Sequence, residues 1–287
     1  MVDSKYIGEE LIVSDKTTLL GADDKAGVAE IIAACERIIA DDTMKHGRIS
    51  ICFTPDEEIG RGADRFDFER FGADFAYTVD GGELGEISNE NFNAAAVELT
   101  VHGINTHPGS AKNKMRNAIL FLNEFINLLP AAEIPACTEG REGFYHIDSV
   151  SGNETEARLS MLIRDFDKES FEKRKQYVES TAAFLNKKYG GATFEVSVTD
   201  SYYNMLEIIE KYPEITARIE GAMRKAGVKP EFEPIRGGTD GARLSFEGLP
   251  CPNLSTGGMN FHSIYEAIPV KSLEKMTDVL INILCED

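Results

Sequence analysis

With 287 residues, 42% of them apolar types, the chain can bury a sizeable core and is long enough for one large or two ordinary domains. A formal charge of −19 argues against nucleic acid as a partner, because a phosphate backbone is held by basic surface. No stretch reaches the roughly 18–20 consecutive apolar residues of a membrane span, residues 1–5 carry no apolar leader core, and the five scattered cysteines form no C-x-x-C pair, so a reduced, cytoplasmic chain is expected.

In residues 25–40, Val28, Ile31, Ile32, Cys35, Ile38 and Ile39 recur at three- and four-residue spacings, which predicts a helix burying that face. Residues 48–54 and 74–79 are short, largely apolar runs and predict strands. Helix and buried strands in alternation indicate an α/β sheet with its ligands at the strands' carboxyl ends. The texture changes near Asn91. Val97, Leu99 and Val101 alternate with polar residues, residues 115–129 read as an amphipathic helix, and residues 143–150 and the Leu159, Met161, Ile163 series predict two more strands. A charged helix over 169–188 and a strand through Phe194, Val196 and Val198 complete the order strand, helix, strand, strand, helix, strand. That order is a ferredoxin-like split β-α-β unit, an α+β sandwich of one antiparallel sheet and two helices. From about Asn204 the α/β style returns, with a helix over 213–226, a glycine-rich turn at 236–241, a buried segment at 249–254, and a last helix from Val270 striped by Leu273, Met276, Leu280 and Ile283. The expected organisation is therefore a discontinuous domain, 1–91 with 204–287, carrying an inserted domain over 92–203.

Four polar clusters interrupt these apolar elements: Gly21-Ala-Asp-Asp-Lys-Ala-Gly27, Thr54-Pro-Asp-Glu-Glu-Ile-Gly60, Thr78-Val-Asp-Gly-Gly82 and Asn260-Phe-His-Ser-Ile-Tyr-Glu266. Carboxylates at the ends of buried strands are costly unless paired or bound to metal, and few lysines or arginines stand beside these. Divalent cations are the simplest neutralisers, and mixed carboxylate and imidazole donors suit zinc, with manganese or cobalt as alternatives. Taken singly, each cluster has a plainer reading. Asp23 or Asp24 can cap the helix that follows, Glu57-Glu58 can be a solvated turn, Asp80-Gly-Gly82 is ordinary turn chemistry, and His262 can be a loop histidine.

The first three of these clusters, with Glu90-Asn-Phe-Asn-Ala94, His107-Pro-Gly109, Gly143-Phe-Tyr-His146, Ile163-Arg-Asp-Phe-Asp167, Asp200-Ser-Tyr-Tyr-Asn-Met205 and Ile235-Arg-Gly-Gly-Thr-Asp-Gly241, resemble in order the peptidase T family of tripeptide aminopeptidases. That family lies within the wider dizinc metallopeptidases that include carboxypeptidase G2 and the aminoacylases. The likeness runs from about Thr17 almost to the C-terminus. It implies a mixed-sheet zinc-peptidase catalytic domain with an inserted lid domain, a tripeptide substrate, and two zinc ions per complete site. Residue by residue it implies Asp23 as the bridging carboxylate, Glu58 and His262 as the other ligands of one zinc, Asp80 as a ligand of the second, and Glu57 as general base. It also implies His107 at the developing oxyanion, and Arg164 and Arg236 on the peptide carboxylate. A loop role for His107 and a structural ion pair for either arginine, Asp165 being next to Arg164, stay open.

One family feature is not matched. Members carry, ahead of the Asp-Asp-Lys cluster, a strand ending in His-x-Asp whose histidine binds the second zinc; the only His-x-Asp in this chain is His146-Ile-Asp148, inside the inserted domain. The expectation is an N-terminally incomplete catalytic domain that holds one zinc, holds a second weakly, and has low or no activity alone. Apolar surface exposed on the sheet then calls for a partner or a second copy, and the resemblance allows a homodimer through the inserted domain. Two alternatives remain at this point: another dizinc amidohydrolase such as a dipeptidase or aminoacylase, or a non-catalytic metal-binding remnant.

Overall fold

The computed structural model describes residues 6–191 and 193–286, so residues 1–5, read above for an apolar leader core, lie outside the described part. The chain divides into two compact units, Met1–Asn91 with Met205–Asp287, and Phe92–Asn204. In chain order the elements are β1 (Leu11–Val13), α1 (Ala22–Ala40), β2 (Lys45–His46), α2 (Phe68–Phe71), β3 (Thr78–Val79), β4 (Glu86–Ser88), β5 (Asn93–His102), α3 (Ala118–Leu128), β6 (Phe144–Gly152), β7 (Glu156–Asp165), α4 (Lys168–Tyr189) and β8 (Phe194–Tyr202). They continue with α5 (Leu206–Ile209), α6 (Pro213–Lys225), β9 (Glu231–Phe232), α7 (Asp240–Phe246), β10 (Asn253–Leu254), β11 (Ala267–Pro269), α8 (Val270–Leu284) and β12 (Cys285–Glu286).

The discontinuous unit is built on a mixed sheet in the order β3-β10-β4-β9, with β10 parallel to β3 and antiparallel to β4, and β4 parallel to β9. Two short antiparallel ribbons, β1 with β11 and β2 with β12, tie distant parts of the chain together. Helices α1, α6 and α8 bury Ala34, Ile38, Ile219, Met223, Met276 and Ile283 in one cluster with Val79, Ile87 and Leu254 of the sheet. Leu273, at the start of the α8 stripe, instead joins Ala22, Ala26 and Ile268 in a smaller cluster.

Three expectations need correcting here. The buried stripe of α1 is Ala26, Gly27, Glu30, Ala34 and Ile38, whereas Ile32 and Ile39 are exposed. Small residues face inward because the helix lies flush on the sheet: a Cβ on Gly27 would sit 2.1 Å from the Val79 carbonyl oxygen. The 48–54 run forms no strand and makes no backbone-to-backbone hydrogen bond to any described residue; Ser50 donates its hydroxyl to the Phe71 carbonyl, 2.8 Å away, and Thr54 donates its own to Asp240 Oδ2, 3.0 Å away. A strand requires a neighbour, and none of the described segments supplies one. The 74–79 run shrinks to Thr78–Val79. Ala76 and Thr78 donate to the carbonyls of Pro250 and Pro252, and prolines have no N–H to donate back.

The second unit is an antiparallel sheet in the order β6-β7-β5-β8, with α3 and α4 packed on it. Its strict alternation is what the pleat demands: Val97, Leu99, Val101, Leu159, Met161 and Ile163 are all buried in one core with Leu122, Phe125, Phe171 and Leu185. Helix α3 begins at Ala118 rather than Met115, because the Arg116 N–H pairs with the Ile104 carbonyl and the Asn117 side chain caps the amides of Ile119 and Leu120. Asn204 also belongs to this unit, its N–H donating to Asn93 Oδ1 and its Nδ2 to the Phe166 carbonyl.

Candidate active site

The acidic side chains singled out in the discontinuous unit arrive at one cleft by different local devices. At the start of α1, Asp23 and Asp24 leave the helical region (φ −88°, ψ 101° and φ −125°, ψ 43°), and the peptide between them is cis. The paired residues then divide. Asp24 Oδ1 accepts the Gly27 N–H at 3.1 Å, so Asp24 is the cap for the regular helix, while Asp23 is turned toward His262. The backbone of this corner is held by Glu266, a buried carboxylate that accepts the N–H groups of Gly21 (2.7 Å) and Asp23 (3.0 Å).

Asp80 follows β3 directly. Its N–H donates to the Leu254 carbonyl and its own carbonyl accepts from Asn253 Nδ2 at 2.7 Å, so β10 fixes the strand end from which the side chain projects. Glu57 and Glu58 open a one-turn 3₁₀ helix, Glu57–Ile59, entered through Asp56 in the left-handed region (φ 64°). His262 also has a positive φ of 56° and sits in a loop closed by reciprocal backbone hydrogen bonds between Met259 and Ala267.

His262 Nε2 lies 3.1 Å from Asp23 Oδ2 and 3.1 Å from Glu58 Oε2. Donor atoms of Asp23, Glu58 and His262 all lie within 4.8 Å of one another, and so do those of Asp23, Asp24 and Asp80. A cleft of about 320 Å³ is lined by Asp23, Glu57, Glu58, Asp80, Glu86, Glu233 and His262 among others, with neither a lysine nor an arginine among the described residues of its wall.

Such crowding of like charge shows in proton affinity. Burial, then the neighbouring Asp23 and Glu57 carboxylates, push Asp24 up to about 8 against the Gly27 hydrogen bond. Burial and the carboxylates of Asp24, Asp23 and Glu57 hold Asp80 well above the usual range. Burial followed by Asp240, Glu58 and Asp23 raises Glu57, and the Glu58 carboxylate followed by Asp23 raises His262. Five carboxyls crowded at one place, Asp23, Asp24, Glu57, Glu58 and Asp80, beside an imidazole aimed at Asp23 and Glu58, form a donor set that fits divalent metal. Asp23, Glu58 and His262 provide mixed oxygen and nitrogen donors. The second group provides aspartate oxygens alone, one of which is already engaged by Gly27.

Of the remaining residues singled out from the sequence, Arg236 stands in the loop between β9 and α7, whose Ile235, Gly238 and Thr239 line the cleft. His107 and Arg164 belong to the second unit. His107 is exposed and its Nδ1 accepts the Gly109 N–H at 3.1 Å. Arg164 lies over the Tyr202 ring at 5.3 Å and donates to the Ile163 carbonyl; Asp165 is not its partner but pairs with Arg174 at 2.7 Å. His146 and Asp148 lie on β6 in that same unit. Asp240, Asn253 and Glu266 carry structural or electrostatic weight at the cleft that the sequence did not assign, and of the two aspartates it offered as a cap it is Asp24 that caps. Glu266 closes the His262 cluster and Asp240 ends the glycine-rich turn, which were the only signals.

The fold is shared with solved peptidases. A Staphylococcus aureus tripeptidase superposes with a TM-score of 0.84 at 24% identity, over 99% of this chain and 74% of that one. The aminopeptidase PepT of Bacillus cereus does so with a TM-score of 0.83 at 28% identity, over 96% of this chain and 73% of that one. The class is thus a peptidase with a mixed α/β unit and an antiparallel α+β insertion. Within that class the chain belongs to peptidase family M20/M25/M40, whose model matches residues 21–286. Curated relatives include the peptidase T of Halothermothrix orenii, 57% identical over 98% of this chain and 69% of the relative, and that of Caldanaerobacter subterraneus, 55% identical over 97% and 68%.

Proposed function

We propose that this chain is a metal-dependent aminopeptidase that releases the N-terminal residue from tripeptides. The observation that carries the reading is His262 Nε2 standing 3.1 Å from both Asp23 and Glu58, with the half-buried Glu57 adjoining Glu58 in the same cleft. The tripeptide is taken from the resemblance to the peptidase T family, with which the relatives' name and the solved Staphylococcus aureus tripeptidase agree. Asp23, Glu58 and His262 would hold one zinc, and Asp23 with Asp80 would hold a second. Bound there, the ions would act as Lewis acids that polarise the peptide carbonyl and lower the pKa of water.

Glu57 takes the proton of the attacking water and returns it to the leaving amine, for which a carboxyl raised above its ordinary range is suited. Glu266 holds the Gly21–Asp23 backbone so that the Asp23 carboxylate stays turned to His262. His107, Arg164 and Arg236 are assigned to the oxyanion and the peptide carboxylate. No described helix is long and apolar enough to cross a membrane, and a cytoplasmic location and a homodimer complete the reading.

A second element of the proposal is that activity of this polypeptide by itself is low. The aspartate-only second group, with Asp24 committed to its cap, favours one tightly bound ion over two. Hydrolysis of tripeptides, dipeptides and N-acylated substrates with added zinc tests both elements. Slow cleavage confined to tripeptides, lowered roughly 10²–10⁴-fold further by Glu57→Gln, is expected. Preference for dipeptides or acylated substrates overturns the first element, and turnover in the ordinary enzyme range of about 1–10³ s⁻¹ overturns the second.

A further inference from the structure

The turn that carries Glu57 and Glu58 is weakly held by its own backbone. It is a single 3₁₀ turn, Glu57–Ile59, flanked by Asp56 and Gly60 in the left-handed region (φ 64° and 70°). Its amides close only on the turn itself: Ile59 and Arg61 donate to the Asp56 carbonyl and Gly60 to that of Glu57. From outside, the turn is gripped by one side of α7. Asp240, 6% exposed, accepts the Thr54 hydroxyl at 3.0 Å ahead of the turn. Beyond the turn the same carboxylate lies so close on Gly62 that a Cβ there would sit 1.9 Å from Oδ2. Further along α7, Arg243 donates to the Gly60 carbonyl at 3.3 Å and pairs with Asp64 at 2.6 Å, and Leu244 shares a buried cluster with Ala63.

The two contacts of Asp240 thus bracket Glu57 and Glu58 in the chain. Asp240 belongs to neither group of candidate metal donors, so ligation does not account for a carboxylate buried here. Its negative charge beside Glu57 works against its burial, which leaves its outline and its hold on Thr54 as what it supplies.

We propose that Asp240 is a positioning residue: by clasping Thr54 and Gly62 it holds residues 54–62 so that Glu58 meets His262 and Glu57 stays in the cleft wall. The inference rests on the peptidase reading for what the two glutamates do, and not for how they are held. Asp240 acts here by shape and hydrogen bond, not by charge. Asparagine has the same outline, and either of its amide atoms pairs with a hydroxyl, which both donates and accepts. Alanine leaves a void against Gly62 and takes the acceptor from Thr54. Gly62→Ala reaches the same end from the other side. Gly62 is not in the left-handed region, and the three atoms nearest an added methyl all belong to Asp240.

Millisecond hydrogen exchange on the metal-free chain tests how the turn is held and needs neither metal nor substrate. Asp240→Ala and Gly62→Ala are each expected to speed exchange of the Ile59, Gly60 and Arg61 amides about tenfold, with the amides of Met276 and Val279 in α8 unchanged. Asp240→Asn should exchange like the unaltered chain. In the Asp240→Ala background Gly62→Ala should add nothing, the atoms it would meet being gone. Zinc affinity by chelator competition should follow the same order, falling about tenfold in the two alanine variants and staying within about twofold in Asp240→Asn. Four results overturn the proposal: a loss in Asp240→Asn equal to that in Asp240→Ala, which makes charge the agent; unchanged exchange at 59–61 in Asp240→Ala, which makes Arg243 the clasp; equal acceleration in α8, which makes the change global; or additive effects of the two alanine substitutions. Failure of the unaltered chain to bind zinc counts against the peptidase reading instead, and the exchange result still decides the role of Asp240.

Discussion

Glu57 and Glu58 are adjacent, yet one is half-buried beside Asp240 and the other reaches His262; Asp23 and Asp24 split in the same way between the cleft and a helix cap. Each pair combines a residue fixed by its surroundings with one presented to His262. Glu30 is the carboxyl with the clearest consequence for stability. Burial, then Asp24, pushes it up to about 10 from an ordinary 4.5. The folded chain therefore holds a proton that the unfolded chain releases, and stability falls as pH rises from about 4.5 toward 10. Glu30→Gln should stabilise the free chain by at least about 2 kcal/mol at pH 8 and by almost nothing near pH 4, read from denaturant midpoints at the two values. An equal effect at both would contradict this assignment. At this scale the sequence reveals that acids cluster, and it does not reveal which acid serves which end. Capping by Asp24 and the clasp of Glu266 on Gly21 are set by partners three and 245 residues away, and Glu30 is orphaned by the packing of α1.

Among the elements, α1 shows how a site is placed by packing. Gly27 lets the helix lie on the Val79 carbonyl, which brings Asp23 to the strand end that presents Asp80. Gly27→Ala puts a methyl against backbone that has little room to yield. It should cost about 1–3 kcal/mol and weaken zinc binding together with stability, measured by denaturation and by chelator competition. The strands of the second unit are legible in the sequence because each buries one face, so alternation survives in the residues. The 48–54 run has the same β-branched, apolar look but no partner among the described residues, and composition carries no record of pairing. Ribbons of two or three residues such as β2 with β12 are too short for any periodicity.

At the scale of the molecule, the turn from α/β texture to regular alternation near Asn91 reflects two units with separate cores. Phe92–Asn204 buries its own cluster around Val97, Leu159, Phe125 and Phe171. Expressed alone it should fold, with a single cooperative thermal transition and a circular dichroism spectrum of mixed helix and strand; a non-cooperative melt would show that its core is not self-sufficient. The discontinuous unit carries the whole acidic cleft, and its chemistry turns on whether those side chains act together on a cation. Zinc titration by calorimetry in two buffers of different ionisation enthalpy, on the chain and on Asp23→Asn, Glu58→Gln and His262→Ala, addresses that directly. The expected result is one tight ion per chain, bound with release of protons and lost at least tenfold in each variant. Binding of equal strength in all four proteins, or without proton release, would contradict it.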